Sequence, residues 1–271
     1  MSIATQKIRT PLRYPGGKSR ALKSIIPLVP NDFQEFREPF VGGGSVFIYL
    51  RQLFPDRQFW INDLYPELAA FWEIAGTDID AMLGQIWTWR RAYQDGRVLH
   101  RFLVDNLKEF PKVKKAAAFF ILNRLTFSGT SESGGYSQSA FEKRFTESSI
   151  ARVEAILPIM EKVKVTNLDF EKVIEAPGEG VFIYLDPPYF SATKSALYGK
   201  NGNMHKGFDH ERLAEVLKKS PHRWLMTYDD SEYIRELFSF AKITKWSLTY
   251  GMRNVKATAN QKATEVFISN Y

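Results

Sequence analysis

The sequence contains no cysteine, only four histidines, and no apolar run long enough to cross a membrane. Without cysteine there are no disulfide bonds, thiolate nucleophiles or thiolate zinc sites, and this absence is typical of a reducing compartment. The histidines, at positions 100, 205, 210 and 222, lack the spacing of a metal-binding helix, so we expect no metal. The amino terminus has no apolar core of signal-peptide length. These absences predict a cytoplasmic protein without a membrane segment.

What remains is an ordinary globular composition with a basic excess. Of the 271 residues, 44% are apolar and 25% are charged. The net charge of +7 favours a polyanionic partner such as nucleic acid, although many enzymes with other substrates carry a similar charge.

Alternating strand and helix patterns near both ends of the chain predict an α/β fold with a mostly parallel sheet. The predicted parallel strands lie in the segments FREPFV, QFWIND, VKVTN, VFIYL and HRWLMTY. The last two strands, within AKITKWSLTY and TEVFISNY, are predicted to form an antiparallel hairpin at the edge of this sheet.

The middle of the chain differs in character. Residues 78–127 contain three helical patterns and no convincing strand, and the Ser- and Gly-rich stretch at 128–140 predicts an exposed, mobile loop. We therefore expect one domain formed by residues 1–75 and 151–271, interrupted by a helical insertion at 76–150.

A glycine-rich turn follows the first predicted strand, in EPFVGGGSVF. Its glycines allow a ligand to lie against bare backbone at a helix amino terminus, although a tight turn without a ligand is an equal alternative. Asp63 ends the next strand, where nucleotide-binding sheets place a carboxylate on ribose hydroxyls. Phe47 stands where a dinucleotide fingerprint needs a small residue, and Leu12 stands where a phosphate loop needs glycine. The pattern favours a nucleoside cofactor other than NAD or ATP.

The segment VFIYLDPPYF carries an acid at the tip of a buried strand. Pro187 and Pro188 hold Asp186 in an extended backbone and remove two amide donors that would otherwise occupy its carboxylate. Tyr189 adds a flat wall. This arrangement suits an amino group on an aromatic ring, whose charge in the transition state the acceptors would stabilise. A plain Asp-Pro turn is the alternative.

The order of these segments resembles a known family. YPGGK at 14–18, EPFVGGGSVF at 38–47, ND at 62–63, LDF at 168–170 and DPPY at 186–189 are similar to the motifs of the Dam-type (D12 class) DNA adenine-N6 methyltransferases. The likeness spans almost the whole chain. It implies a Rossmann-like methyltransferase sheet, S-adenosylmethionine as methyl donor, and an adenine flipped out of double-stranded DNA as acceptor.

The resemblance also implies a cofactor site. The residues that would enclose the cofactor are Tyr14, Gly16, Gly17 and Lys18. Those along its methionine part are Phe40, Gly42 and Gly44. Asp63 would hold the ribose hydroxyls, and Asp169 with Phe170 would lie at the adenine. An acid ahead of an apolar helix, such as Asp169, is also a good helix cap.

The catalytic residues implied by the same resemblance are those of the DPPY segment. Asp186 and the carbonyl of Pro187 would accept the hydrogens of the target amine, Pro188 would stiffen the segment, and Tyr189 would stack on the flipped ring. We interpret Asp186 as a hydrogen-bond acceptor more than as a general base.

Binding of DNA is assigned to the helical insertion, which is rich in Lys and Arg. Arg91, Asn123, Arg124 and Tyr136 are the predicted DNA-binding residues, although any one such charge is more often simply solvated. Arg124 can read guanine, cap a helix or pair with a carboxylate. Beyond residue 130 the sequence departs from the Dam pattern, so the recognised site stays open.

Three other functions remain as alternatives. Methylation of cytosine N4 uses the same kind of acceptor site. The other two alternatives are not methyltransferases. The complete DPPY segment argues against a non-catalytic DNA-binding module, and Phe47 argues against a nicotinamide-dependent dehydrogenase. We expect a monomer or weak dimer. Whether the enzyme belongs to a host, a phage or a restriction-modification system stays open.

Overall fold

The computed structural model describes residues 8–126, 135–190, 207–247 and 264–271. Its centre is a seven-stranded sheet. The strands are β1 (Glu35–Glu38), β2 (Gln58–Asn62), β3 (Lys164–Thr166), β4 (Val181–Leu185), β5 (Arg223–Asp229), β6 (Lys242–Ser247) and β7 (Thr264–Ser269).

The sheet is mostly parallel. Strands β3, β2, β1, β4 and β5 lie side by side and parallel, and β7 lies antiparallel between β5 and the edge strand β6. The predicted α/β fold with an antiparallel hairpin at the carboxyl-terminal end is confirmed. Strand order reverses between β1 and β4, which is where open sheets of this kind bind their ligands.

Helices cover both faces of the sheet. They are α1 (Leu22–Ile25), α2 (Ser45–Leu53), α3 (Pro66–Thr77), α4 (Ile79–Ala92), α5 (Gly96–Asn106), α6 (Lys112–Leu125), α7 (Gln138–Arg144), α8 (Glu147–Glu154), α9 (Leu157–Met160), α10 (Phe170–Ile174), α11 (His210–Lys219) and α12 (Glu232–Leu237). Short 3-10 turns span Lys18–Arg20 and Ile26–Leu28. Within the described ranges, no helix has both the length and the apolar character needed to cross a membrane.

Strand β4 is covered by hydrophobic core on both faces, which explains its uninterrupted apolar sequence. Phe182 and Tyr184 face the core that includes α2 and α3, while Val181, Ile183 and Leu185 face the core formed with α10, α11 and α12. All five side chains are buried. A central parallel strand has no solvent face, so neither set of alternate residues is polar.

The predicted helical insertion forms α4, α5 and α6. Asp78 and Asp95 cap α4 and α5 through their side chains, which fixes where these helices begin. The ring of Phe71 in α3 packs against Phe119 and Phe120 in α6, with centroids 6.1 and 6.3 Å away. The insertion therefore shares one hydrophobic core with the sheet, and α3 continues to Thr77, past the expected boundary at residue 75.

The prediction of an exposed loop over 128–140 was wrong at its carboxyl-terminal end. Tyr136 pairs with Thr126 in a β-bridge, and Ser137 caps α7, in which Ala140 is fully buried. Composition did not indicate this helix because its first turn depends on one serine cap and one small buried residue. Residues 128–134 of the predicted loop lie outside the described residues.

Candidate active site

A cavity of about 600 Å³ opens at the carboxyl ends of the parallel strands. This volume is in the range of small-molecule and cofactor sites. All of the predicted catalytic and cofactor-binding residues line it: Tyr14, Gly16, Gly17, Lys18, Phe40, Gly42, Gly44, Asp63, Asp169, Phe170, Asp186, Pro187, Pro188 and Tyr189. The fold thus brings together segments from both halves of the chain.

The glycine turn between β1 and α2 needs its glycines for conformation and for space. Gly42 and Gly44 have φ values of 46° and 67°, in the left-handed region. A Cβ atom on Gly42 would lie 2.7 Å from Cε1 of Tyr14, and one on Gly44 would lie 2.6 Å from Cζ2 of Trp72. Any larger residue at either position would push an aromatic ring out of place.

Asp63 is bonded to this turn. Its Oδ2 accepts the amide hydrogen of Gly42 at 3.0 Å, and its Oδ1 accepts that of Tyr65 at 3.0 Å. Burial raises the pKa of Asp63 from 3.8 to about 6, and the amide hydrogen bonds oppose this rise only in part. The acid and the turn are therefore one unit whose charge depends on pH near neutrality.

Glu38, at the end of β1, is a buried acid that the sequence analysis did not single out. Its Oε2 accepts the amide hydrogen of Phe47 in the first turn of α2 at 3.0 Å. Burial raises the pKa of Glu38 well above its ordinary value, and the charges of Asp186 and Asp63 raise it further. A second carboxyl group thus lies beside the turn and lines the same cavity.

Asp186 has a cationic partner. Its Oδ1 lies 2.7 Å from Nζ of Lys18 and accepts the hydroxyl hydrogen of Thr227 at 2.9 Å. Lys18 is 4% exposed and Asp186 is 22% exposed. The two prolines remove local amide donors, as expected, but donors arrive from the YPGGK segment and from β5. Lys18, which was assigned to the cofactor, therefore also contacts the predicted catalytic acid.

Tyr189 is held at both ends. Its hydroxyl donates to Oε2 of Glu265 in β7 at 3.0 Å, and its ring stacks on Tyr228 with centroids 5.7 Å apart. Nζ of Lys18 lies 4.9 Å from the centre of the Tyr189 ring. The ring is a fixed wall of the cavity beside Asp186.

Three further aromatic rings line the cavity. The rings of Phe40, Phe170 and Phe208 lie with centroids 5.6 to 5.7 Å apart. The guanidinium of Arg212 lies over Phe170 at 4.5 Å and pairs with Oδ2 of Asp169 at 2.7 Å. Asp169 also caps α10 through Oδ1, so the helix-cap alternative is realised alongside its place in the cavity.

The predicted DNA-binding residues lie outside the cavity, in and after the insertion. Asn123 is fully buried and forms two hydrogen bonds with the backbone of Arg13. Its Oδ1 accepts the amide hydrogen of Arg13 at 3.0 Å, and its Nδ2 donates to the carbonyl of Arg13 at 2.7 Å. Arg124 is 3% exposed. Arg91 is exposed near the end of α4, and Tyr136 is partly buried beside Arg97. Their contact with DNA stays a prediction.

Several cavity residues were missed, and some had a signal in the sequence. Asp229 ends β5 just as Asp63 follows β2, and Glu265 interrupts an otherwise apolar strand. Arg212 had no local signal, because its partner Asp169 lies 43 residues away. No cluster of potential metal ligands occurs among the residues that the structure describes.

Comparison with known proteins decides the family. A model of the D12 class N6 adenine-specific DNA methyltransferases matches residues 14–252, which include the glycine turn and the DPPY segment. The chain belongs to this family. The D12 enzymes are DNA adenine-N6 methyltransferases that use S-adenosylmethionine, so the predicted family, activity and cofactor are confirmed.

Three relatives show how far this D12 methyltransferase has diverged. It is 26% identical to the type II methyltransferase M1.LlaDCHI of Lactococcus lactis subsp. cremoris, over 96% of this chain and 94% of that protein. Identity to the type II methyltransferase M.MjaIII of Methanocaldococcus jannaschii is 26%, over 77% of this chain and 78% of that protein. Identity to the DNA adenine methylase of Vibrio cholerae serotype O1 is 22%, over 88% of this chain and 87% of that protein.

Proposed function

We propose that this D12 methyltransferase modifies N6 of an adenine that it extrudes from double-stranded DNA at a specific sequence. The observation that supports this best is that Asp186, at the tip of β4, lines one cavity with the glycine turn and Asp63. Direct transfer needs donor and acceptor groups side by side. A base in a duplex must leave the stack to enter such a cavity.

The charge of the cavity fits S-adenosylmethionine. Among the described residues, the carboxyl groups that line it are Glu38, Asp63, Asp169, Asp186, Asp209, Asp229 and Glu265, and the cations are Lys18 and Arg212. This excess of carboxyl groups favours a ligand with positive charge. When bound, S-adenosylmethionine supplies an activated methyl group on a positively charged sulfur.

The walls of the cavity suggest which residues hold each part of the cofactor. The rings of Phe170 and Phe208 offer an apolar wall for adenine, and Asp63 offers acceptors for the ribose hydroxyls. Phe40, which the resemblance assigns to the methionine part, packs against both rings and is therefore proposed to contact the adenine instead. The turn at Gly42, with Tyr14 packed against it, lies where the methionine part would pass. Gly16 and Gly17 close the same wall.

The acceptor groups of the DPPY segment act on the target amine. Among the described residues, none donates to Oδ2 of Asp186, so this oxygen accepts one amine hydrogen and the carbonyl of Pro187 accepts the other. Both acceptors stabilise positive charge that develops on N6. Because Lys18 already holds Oδ1, Asp186 acts as a fixed acceptor, and Tyr189 covers the face of the base.

The DNA lies against the insertion in this proposal. In it, Arg91 and Tyr136 contact the DNA, and Asn123 acts by fixing the backbone of Arg13. Residues 76–150 serve as the target-recognition part, and the enzyme works as a monomer or weak dimer. Light scattering with and without DNA measures that state.

The test is methyl transfer to DNA from a methylation-free host, with the purified chain and tritiated S-adenosylmethionine. We expect label in N6-methyladenine, and direct sequencing of modified bases should place it in one fixed context. Asp186→Ala should bind cofactor and DNA but lose on the order of a hundredfold in rate or more.

Three results would contradict the proposal. Label in N4-methylcytosine would identify the other amine as the target, and label in many unrelated contexts would remove site specificity. Near-normal turnover by Asp186→Ala would remove the assigned role of the DPPY acid.

A further inference from the structure

Two hydroxyl groups meet inside the sheet, on neighbouring strands. Tyr184 is the fourth residue of β4, and Thr227 is the fifth residue of β5. Both side chains are fully buried. Burying a hydroxyl costs free energy unless it is hydrogen-bonded, and Phe or Val would fill nearly the same space without that cost. The pair is therefore a candidate for a role beyond packing.

The register of the strands brings both hydroxyls to Asp186. Side chains two residues apart leave a strand on the same side, so Asp186 follows Tyr184 on one face of β4. Tyr184 lies opposite Leu225 in the parallel pairing of β4 with β5, and Thr227 is two residues farther along β5. Oγ1 of Thr227 lies 3.1 Å from the phenol oxygen of Tyr184 and 2.9 Å from Oδ1 of Asp186. The threonine hydroxyl thus lies between the phenol and the acid.

These three groups form a hydrogen-bond relay with one direction. A carboxylate only accepts, so the single hydroxyl hydrogen of Thr227 is donated to Oδ1 of Asp186. The Thr227 oxygen then accepts from Tyr184. Burial and the charge of Asp186 raise the pKa of Tyr184 well above its ordinary value, so the phenol keeps the hydrogen that it donates. The relay runs from Tyr184 through Thr227 to Asp186.

The phenol limits where the Thr227 hydrogen can point. The carbonyl oxygen of Leu185 lies 3.5 Å from Oγ1 of Thr227 and is a competing acceptor. Hydrogen bonds in series polarise one another, so donation by Tyr184 strengthens the bond from Thr227 to the carboxylate. Because Lys18 and Thr227 both hold Oδ1, the plane of the Asp186 carboxylate is fixed.

Packing alone does not explain the two hydroxyls. Phe182, two residues before Tyr184 on the same face of β4, is fully buried without a polar atom and packs against Phe33 and Phe36. Among the described residues that line the cavity, neither Tyr184 nor Thr227 occurs. Any effect of these hydroxyls on the reaction must therefore pass through Asp186.

We propose that Tyr184 and Thr227 are positioning residues that fix the orientation of the Asp186 carboxylate toward the target amine. A misplacement of about 1 Å at a reacting group can cost on the order of a hundredfold in rate. The relay orders the acid from inside the sheet, whereas Lys18 orders it from the YPGGK segment. This inference deepens the proposed function and rests on it for the role of Asp186 as the acceptor.

The first test separates kcat from KM in Thr227→Val and Tyr184→Phe, with saturating DNA. We expect kcat to fall by about tenfold or more in Thr227→Val and by roughly threefold to tenfold in Tyr184→Phe. The KM for S-adenosylmethionine should stay within about twofold of wild type, because neither residue touches the ligand. Thr227→Ser keeps the hydroxyl and should recover most of the rate. An unchanged or higher kcat in Thr227→Val would overturn the proposal.

Two other hydroxyls of the sheet region provide matched controls. Ser269 in β7 is buried and donates to the carbonyl of Tyr271, and the Tyr271 hydroxyl donates to the carbonyl of Leu28. Ser269→Ala and Tyr271→Phe each remove a hydrogen-bonded hydroxyl that does not contact Asp186, so kcat should keep its wild-type value. An equal fall in kcat in the controls would contradict the relay, since it would show a general effect of lost hydroxyls.

The double variant Tyr184→Phe/Thr227→Val distinguishes a relay from two independent effects. If Tyr184 acts through Thr227, its hydroxyl has no further effect once the threonine hydroxyl is absent. The double variant should then have the kcat of Thr227→Val alone. Losses that multiply would reject the relay.

Crystal structures of the variants give a result that does not depend on turnover. The Asp186 carboxylate should take more than one orientation in Thr227→Val, and a single unchanged orientation would overturn the proposal. If Thr227→Val does not fold, Tyr184→Phe, which loses one oxygen atom, is used for the same measurements. Methyl transfer by the wild type with unchanged kcat in both variants would reject the relay alone. A reoriented carboxylate in the variants of a wild-type chain that transfers no methyl group would support the relay and reject the proposed function.

Discussion

The ammonium of Lys18 lies 2.7 Å from Oδ1 of Asp186, so the YPGGK motif near the amino terminus and the DPPY motif after β4 meet in one ion pair. Lys18 follows the YPGG turn, where it also donates to the carbonyl of Gly16 at 3.1 Å. Thr227 donates to the same carboxylate oxygen from β5. Asp186, the predicted catalytic acid, is therefore held through Oδ1 by donors from two other segments. These contacts fix the orientation of Oδ2, to which none of the described residues donates.

This pairing predicts the effect of Lys18→Met. Without the ammonium, Asp186 loses its main positioning contact and its compensating charge, so we expect kcat to fall on the order of a hundredfold. The affinity for S-adenosylmethionine, measured by calorimetry, should change less than about tenfold. Lys23→Met is the control, because Lys23 is exposed on α1.

A large effect of Lys18→Met on cofactor affinity with little effect on kcat would assign Lys18 to the cofactor alone. In that case the KM for S-adenosylmethionine would rise strongly while kcat stayed near the wild-type value. A charge-conserving Lys18→Arg change should recover part of the rate if positioning of Asp186 is the reason for the loss.

The fold was predictable because its signals are local. The five apolar residues of β4 form a buried strand in any sheet that is covered on both faces, and the prolines after them end it. The hairpin of β6 and β7 was predicted from two strand patterns at the end of the chain, joined by a polar and basic segment. The turn around Gly44 and the acid Asp63 were also readable, since they follow adjacent parallel strands.

The contacts between distant segments could not be predicted in this way. The prolines around Asp186 correctly indicated a carboxylate without local amide donors, but no pattern in the sequence shows that Lys18 supplies one. Arg212 reaches Asp169 only because α11 packs beside α10. Such pairs depend on closure of the whole fold, and spacing within one segment carries no information about them.

Binding of S-adenosylmethionine should depend on pH through Asp63. Its pKa of about 6 in the folded protein exceeds the ordinary 3.8, because burial disfavours the carboxylate. Ribose hydroxyls donate best to the charged form, so we expect a constant affinity well above pH 6. Below it, the affinity should fall by up to about tenfold per pH unit. Calorimetric titration across this range checks the expectation, and Asp63→Asn should bind weakly with no such dependence.

The raised pKa of Asp63 also makes the free energy of unfolding depend on pH. The folded chain keeps the Asp63 proton up to a higher pH than the unfolded chain does. The contribution of Asp63 to the free energy of unfolding is therefore greatest below about pH 4 and falls as pH rises through about 6. Urea unfolding at several pH values in this window gives the free energy of unfolding as a function of pH. This dependence should be steeper for wild type than for Asp63→Asn, and an equal dependence on pH in both would contradict the raised pKa.

Arg212 should matter for cofactor affinity more than for chemistry. Its guanidinium covers Phe170 and pairs with Asp169, and all three residues line the cavity. We expect Arg212→Met to raise the KM for S-adenosylmethionine by about tenfold while kcat changes little. This is the result when a lost contact stabilises the bound ground state and the transition state equally. Steady-state kinetics with saturating DNA measures both constants.

A matched control exists for this change. Arg223 is also paired, at 2.8 Å with Asp32, and is 37% exposed compared with 41% for Arg212. Arg223→Met removes the same kind of ion pair at the opposite end of the strands, so both constants should stay at wild-type values. An equal rise in KM in both variants would mean that the effect is a general loss of stability.

The hydroxyl and the ring of Tyr189 should have separable roles. Its hydroxyl donates to the buried Glu265, so Tyr189→Phe should lower the free energy of unfolding by about 1–2 kcal/mol and leave kcat nearly unchanged. Tyr189→Ala removes the wall against which the base stacks, and stacking on an aromatic ring contributes about 1–3 kcal/mol. We therefore expect Tyr189→Ala to weaken capture of an extruded 2-aminopurine, followed by its fluorescence, by about tenfold or more.

Tyr271→Phe provides the comparison, because the Tyr271 hydroxyl donates to the carbonyl of Leu28 at the far side of the sheet. It should cost stability without affecting the 2-aminopurine signal. If Tyr189→Phe and Tyr189→Ala reduced base capture equally, the hydroxyl and not the ring would hold the base. The position of Tyr189 over the acceptor site would then serve the Glu265 contact, and another aromatic side chain would have to cover the adenine.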